Sequence, residues 1–378
     1  VVNGNAGGSA VAVKAQANGE PAKLEQADIV LTGSIDGERP QTILGLLLPD
    51  VPQDKLATGG KGKLSFELKG VPKTNLTGRV ALETQAMTIG FDGQGALKDD
   101  GLALTGKAQA TTPNAGLAIM LFGFEASPGA TNVPLNLRAD IVKAAQSIDF
   151  KGVAGEIAGE PVQGNVSLDN SGTVTKVTLD AKAGTVSLPV LLGGLVAWQR
   201  TPSTEQMLGT LGGGTSEVWP ARGFSLGPLA RIDGDFKLAA KSLSLGAPLL
   251  VQDAALPARV DKGALSIASL QGRLFGGTFA GSGTLSPRGT GAGLEARADL
   301  KGGKLEDLSK GLAGKVLAKG PFSASFTVTG EGLSPPGLVA GLSGEGTLSL
   351  EPGVVQAMSK EPLQRVAVEA AKTKKLKD

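Results

Sequence analysis

One short segment carries a pattern associated with catalysis. Gly223-Phe224-Ser225-Leu226-Gly227 fits G-x-S-x-G, in which a tight turn lifts a serine hydroxyl toward a base. The usual base is histidine, and the chain of 378 residues has none. It has no cysteine either. Composition therefore excludes a Ser-His-Asp triad, a thiolate nucleophile, a disulfide framework and any His- or Cys-ligated metal site. Carboxylates, amines and hydroxyls remain. The carboxylate pairs are Asp99-Asp100, Asp233/Asp235 and Glu306-Asp307. Such pairs can hold a cation or exchange protons. Turn chemistry and helix-start charge account for them more simply. Gly59-Gly60-Lys61-Gly62-Lys63 lacks P-loop spacing and reads as turns. Asn75-Leu76-Thr77 and Asn165-Val166-Ser167 are glycosylation sequons in form only. The expectation is a protein that is not an enzyme and needs no metal and no cofactor.

Lys and Arg total 37 and Asp and Glu total 35, a net charge of +2 that gives no footprint for nucleic acid. Aromatics are 3% of the chain, too few for base-stacking platforms. No segment reaches the roughly 18–20 apolar residues of a membrane span. The chain starts in mid-pattern at Val1 and ends inside a helical-looking segment, which reads as a piece of something longer. The one basic cluster is Lys372, Lys374, Lys375 and Lys377, a solvated helix end or a membrane-surface contact.

The elements that position these residues are strands. Leu64-Ser65-Phe66-Glu67-Leu68-Lys69 alternates apolar and polar, and so do Phe322 to Thr329, Thr347 to Glu351 and Leu294 to Leu300. Period-2 alternation gives each run one apolar and one polar face. With 57 Gly in the chain, Gly-bearing turns separate the runs at short intervals, which predicts antiparallel meanders rather than βαβ units. Helical spacing is rarer: residues 304–315, 354–377, 41–48 and 187–198. Residues 202–228 read as a long connection.

The chain also repeats. Shifted by 117 residues without a gap, Gly164 falls on Gly281, Leu168 on Leu285, Ala181 on Ala298 and Leu188 on Leu305. Shifted by 71, Gly93 falls on Gly164, Leu97 on Leu168 and Ala110 on Ala181. Each copy reads as three strands and an apolar helical turn, a unit that stacks into an elongated body. This divides the chain into N-terminal strands with a short helix (1–58), repeat unit 1 (59–132), repeat unit 2 with the connection (133–230), a C-terminal module with repeat unit 3 (231–350) and a C-terminal helix (351–378). The fold class is mainly β, an elongated, curved antiparallel sheet with a few short helices.

An apolar sheet face must be covered. Helical segments are few, so the choices are a second sheet, closing a filled sandwich, or a strongly curved sheet whose aliphatic lining holds acyl chains. Composition permits both. The candidate lining residues are Leu64, Phe66, Leu68, Phe236, Leu238, Leu265, Ile267, Leu274, Phe322, Phe326, Val328, Leu348 and Leu350.

The last 150 residues or so resemble the AsmA-like family of Gram-negative envelope proteins. Trp219-Pro220, Phe224-Ser225 and Pro228-Leu229 resemble the approach to its C-terminal module. Ile232 to Leu238 followed by Leu243-Ser244-Leu245-Gly246 resemble its next two strands. Asp261-Lys262-Gly263-Ala264-Leu265-Ser266-Ile267, then Leu274-Phe275-Gly276-Gly277 and Gly281-Ser282-Gly283, are the most characteristic part. Leu305-Glu306-Asp307-Leu308, Gly320-Pro321-Phe322 and Gly341 to Gly346 continue it. The resemblance implies a periplasmic β-rich protein, tethered to the inner membrane by an N-terminal anchor absent from this chain. It implies a β-lined groove that carries phospholipid between inner and outer membranes, with links to outer-membrane assembly. The alternative is a structural β-repeat scaffold of the envelope that binds protein partners.

Overall fold

The computed structural model describes residues 1–6, 8–38, 60–116, 133–188, 191, 226–246 and 248–355. Strands dominate them. The first half carries β1 (Val2–Ala6), β2 (Ser9–Asn18), β3 (Asp28–Gly37), β4 (Gly62–Val71), β5 (Asn75–Thr84), β6 (Thr88–Lys98), β7 (Gly101–Thr112), β8 (Leu135–Lys143), β9 (Ser147–Ile157), β10 (Glu160–Asp169) and β11 (Thr175–Ser187). The second half carries β12 (Ile232–Gly246), β13 (Leu249–Asp261), β14 (Ala264–Leu274), β15 (Gly277–Arg288), β16 (Gly291–Lys304), β17 (Ala318–Lys319), β18 (Pro321–Gly332), β19 (Ser343–Leu350) and β20 (Val354–Val355). The described helices are a 3-10 turn at Pro21–Gln26, α1 (Gly227–Ala230), α2 (Leu305–Ala313) and α3 (Pro335–Ala340).

All strands but β17 and β20 form one open, curved sheet of 18 strands. Each pairs with the next sheet strand in chain order, and β1 and β19 have ladder partners on one side only. At ordinary strand spacing the sheet measures about 80 Å from edge to edge. The meander is antiparallel with one exception, the parallel seam of β11 and β12. There the chain leaves β11 at one rim of the sheet and enters β12 at the other. The ladder runs on unbroken from β7 to β8 and from β11 to β12.

Tight turns occur on both rims: β4–β5, β6–β7, β8–β9, β13–β14 and β15–β16 turn at the first, and β1–β2, β5–β6, β9–β10, β12–β13 and β14–β15 at the second. The second rim carries the long links after β3, β7, β11 and β16. The hairpins β10–β11 and β15–β16 share a register under the shift of 117 residues: Gly164 pairs with Ala181 as Gly281 pairs with Ala298, and Leu168 with Val177 as Leu285 with Leu294. Bulges interrupt the ladders between β8 and β9, β13 and β14, β14 and β15, and β16 and β18. Each extra residue bends its strand and adds curvature.

The expected helices divide. Residues 305–313 form α2, which ends where Gly314 turns left-handed (φ 69°) and donates its N–H to the Lys310 carbonyl at 2.9 Å. The helix placed at 351–378 is corrected at its start: Val354–Val355 form β20, antiparallel to β17. Pro352-Gly353 breaks the chain out of β19, and two β-branched residues then suit an extended ladder better than a helix turn. Residues 356–378, with the basic cluster Lys372 to Lys377, lie outside the described residues. So do the helix expected at 41–48, most of 187–198, and Ser225 of the G-x-S-x-G pattern.

Candidate functional site

The pairings sort every central residue onto one of two faces. Take Leu31 in β3 and follow its ladder partner from strand to strand. The file runs Leu31, Leu68, Gly78, Gly93, Gly106, Ile141, Phe150, Val166 and Leu179 to the parallel seam. It continues through Phe236, Ala258, Ile267, Gly283, Ala296 and Val328 to Gly344 in the edge strand. No residue in it has a polar side chain. The neighbouring file, one residue along each strand, carries the opposite face. It includes Lys69, Thr77, Gln94, Thr105, Asp149, Ser167, Thr178, Asp235, Arg259, Ser266, Thr284, Glu295 and Thr329. A slip of one residue at any ladder would exchange the two faces from that point on, so the alternation fixes the register.

Burial across the apolar face is uneven. Every midline residue from Leu31 to Val328 is half-buried, and none is fully covered. The face's buried large side chains in the first half lie toward the strand ends: Leu64, Leu82, Met87 and Leu135 near the second rim, Leu168 near the first. In the second half, two clusters flank the midline. One gathers Leu243, Val251, Leu270, Leu274, Phe279, Leu300 and Phe322 beside the second rim, with Leu305 and Leu308 of α2 packed on it. The other gathers Leu229 of α1 with Val260 and Leu265 beside the first rim. The face thus has a half-buried apolar floor along its midline and more deeply packed shoulders toward the strand ends. Among the described residues no second sheet closes it; the only other sheet is the two-residue ribbon of β17 and β20.

All thirteen candidate lining residues stand on this face. Phe66, Leu68, Phe236, Leu238, Ile267 and Val328 are half-buried on or beside the midline. Leu64, Leu265, Leu274 and Phe322 are buried in the shoulders. Phe326, Leu348 and Leu350 stand largely in the open, at 51%, 62% and 60% exposure, on the last two strands. Sequence reasoning missed the small residues of the floor, Gly78, Gly93, Gly106, Gly283 and Ala296. Only their even spacing from neighbouring Phe and Leu residues could have assigned them.

The polar face is latticed by charge. Arg79 pairs with Asp92 across β5 and β6 at 2.5 Å, Arg259 with Asp235 across β12 and β13 at 3.2 Å, and Arg273 with Asp253. Arg297 donates to Asp299 at 2.8 Å, and Ser325 Oγ donates to the same carboxylate at 2.7 Å. These bonds hold the Asp299 carboxyl down at about 2, the Arg297 guanidinium first and the Ser325 hydroxyl second. Three of the carboxylates weighed above as chemistry, Asp233, Asp235 and Glu306, have structural partners. Asp235 is the partner of Arg259, and Asp233 accepts the Lys262 N–H at 3.0 Å. Glu306 accepts the Gly320 N–H at 3.2 Å, and backbone N–H groups hold its carboxyl below the usual range. Among the described residues no three acidic groups gather as a metal site would need.

This arrangement presents an apolar file across the sheet, backed by a charged opposite face. No curated protein and no solved structure gave a match to the chain. Residues 191–361 match the model of the AsmA family, a stretch that takes in nearly all of the link between β11 and β12 and the sheet from β12 to β19. Over that C-terminal region, the chain is similar to the AsmA family.

Proposed function

We propose that this chain is a periplasmic lipid-binding and lipid-transfer module, whose apolar trough carries phospholipid acyl chains between the inner and outer membranes. The observation that carries the reading is the midline file, apolar on every strand from Leu31 to Val328 and half-buried throughout. An apolar strip of this length left partly open is costly in water unless something apolar occupies it. An extended acyl chain is narrow, flexible and uniformly apolar, and a floor of Gly, Ala, Leu and Phe matches it without specific polar anchors. Headgroups would remain in solvent at the trough mouth. The match of residues 191–361 to the AsmA family supports an envelope role. The anchor to the inner membrane belongs to the same reading.

The test is native mass spectrometry of the chain purified without detergent from a Gram-negative periplasm. The expected result is bound phospholipid, released on denaturation. A folded protein that carries no lipid, and takes none from vesicles, would leave the scaffold alternative, with envelope proteins as partners.

A further inference from the structure

The sequence places Leu305, Leu308 and Leu312 on one helical stripe. The structure splits them: Leu305 and Leu308 pack on the second-half core, while Leu312 is 56% exposed. The helix runs out past the shoulder it covers, and every residue from 310 to 316 is exposed. Val316 follows at the tip, and Val354, 63% exposed, pairs with Lys319 in the small ribbon beside it. The tip is a built feature. Gly314 caps α2, Ser309 Oγ accepts the Leu317 N–H at 3.2 Å, and Leu305 donates its N–H to the Gly320 carbonyl at 2.9 Å.

Its charge is one-sided. Lys310, Lys315 and Lys319 have no ion-pair partner among the described residues, and no acidic residue occurs between Asp307 and Glu331. Glu306 is engaged with the Gly320 N–H. A protein interface of stable size favours aromatic and Arg anchors and disfavours Lys. This tip has neither an aromatic nor an Arg. Aliphatic side chains set among unpaired lysines fit the headgroup region of an anionic bilayer, where the chains enter the acyl boundary and each amine gains from nearby phosphates.

We infer that the tip of α2 with the following turn, residues 310–319, is a docking surface for an anionic lipid bilayer. It lies at the rim of the sheet three strands from its end, so docking there would bring the exposed end of the trough to a membrane. The surface is separate from the trough floor and does not depend on what the trough holds. The test is co-sedimentation of the full chain with phosphatidylcholine vesicles, with and without phosphatidylglycerol. Binding is expected only with phosphatidylglycerol, weakening with salt. Lys310→Glu combined with Lys315→Glu should weaken it about tenfold or more, and Leu312→Asp comparably. All three residues are exposed, so the variants should fold, as thermal melting will show. The tip variants should keep whatever lipid the wild type co-purifies with, read by native mass spectrometry, which separates this surface from lipid carriage. Binding that persists in the tip variants, or that ignores phosphatidylglycerol, overturns the inference. So does a tip that engages a purified envelope protein and no vesicle.

Discussion

Phe66 occupies the space above Gly33 on the neighbouring strand. A β-carbon at Gly33 would stand 2.5 Å from Phe66 Cζ and 3.0 Å from Cε1. The relation recurs. Phe91 covers Gly93 and Gly106, Phe322 covers Gly303, and Phe326 covers Gly346, with approaches between 2.5 and 2.8 Å. A ring spread over a glycine fills the gap left by a missing side chain and shields the backbone beneath it. The chain has eleven Phe and no Tyr, and these four serve the apolar face in this way. The floor is low because its large residues lean over its smallest ones. Gly33→Ala should therefore displace Phe66 and destabilise by about 1–3 kcal/mol. Gly4→Ala, on the edge strand with nothing within 4 Å, should stay within about 0.5 kcal/mol. Urea denaturation of the two variants compares them directly, and equal costs would mean the ring moves aside freely.

Thr178 and Leu179 are sequence neighbours on opposite faces at the parallel seam, where Leu179 pairs with Phe236 and Thr178 with Asp235. Placing one charge on each face in turn separates carriage from folding. Leu179→Lys puts an amine on the trough floor and should abolish co-purified lipid. Thr178→Lys puts the same amine beside Asp235 on the charged face and should leave the lipid in place. Native mass spectrometry reads both, with melting curves as the control. Loss of lipid from both variants, or from neither, would count against the apolar file as the carrying surface.

The two ends of the apolar face should differ in what they contribute to stability. Leu243 is fully buried in the core under α2, whereas Leu350 is 60% exposed on the edge strand. Leu243→Ala loses contacts on all sides and leaves a cavity, at a cost of about 2–5 kcal/mol. Leu350→Ala should cost less than about 0.5 kcal/mol. Chemical denaturation decides it, and a costly Leu350→Ala would mean that the edge is covered in solution.

Much of this was legible in the residues, for a physical reason. Period-2 alternation is a local signal, and the runs at Leu64–Lys69 and Phe322–Thr329 hold it without a break, so β4 and β18 and the faces of their side chains followed directly. The parallel seam was not legible. It depends on the chain crossing from one rim to the other between Ser187 and Ile232, and no residue of either strand records the direction of its neighbour. Nor could alternation separate floor from shoulder. Leu64 and Leu68 are two positions on one face of β4, yet one is buried and the other half-buried, because burial depends on what the rims bring over them. The exposed end of α2 escaped notice for the same reason: Leu312 keeps the helical spacing of a core residue past the point where the core stops.

Asp299 should set part of the acid stability of the second half. Its carboxylate sits on β16, accepts from Arg297 on its own strand and from Ser325 on β18, and so ties two strands through one charged group. The folded state holds the carboxyl at about 2, below the ordinary 3.8. A carboxyl depressed by folding stabilises the protein fully when it is charged in both states, above the ordinary value. That contribution is lost as pH falls from about 4 to about 2, because the unfolded chain binds the proton first. Asp299→Asn has no proton to bind, so its melting temperature should fall less steeply across that window than the wild type's. Ser325→Ala removes one of the bonds and should shrink the slope without abolishing it. Both substitutions lie on the solvent-facing side of the sheet, so salt should weaken the Arg297 component while leaving the Ser325 component nearly unchanged. Melting curves from pH 5 to pH 2, at low and high salt, read all of this. A wild-type slope retained by Asp299→Asn would assign the acid sensitivity to another carboxylate, with Glu306, whose carboxyl is also held low by backbone N–H groups, next in line.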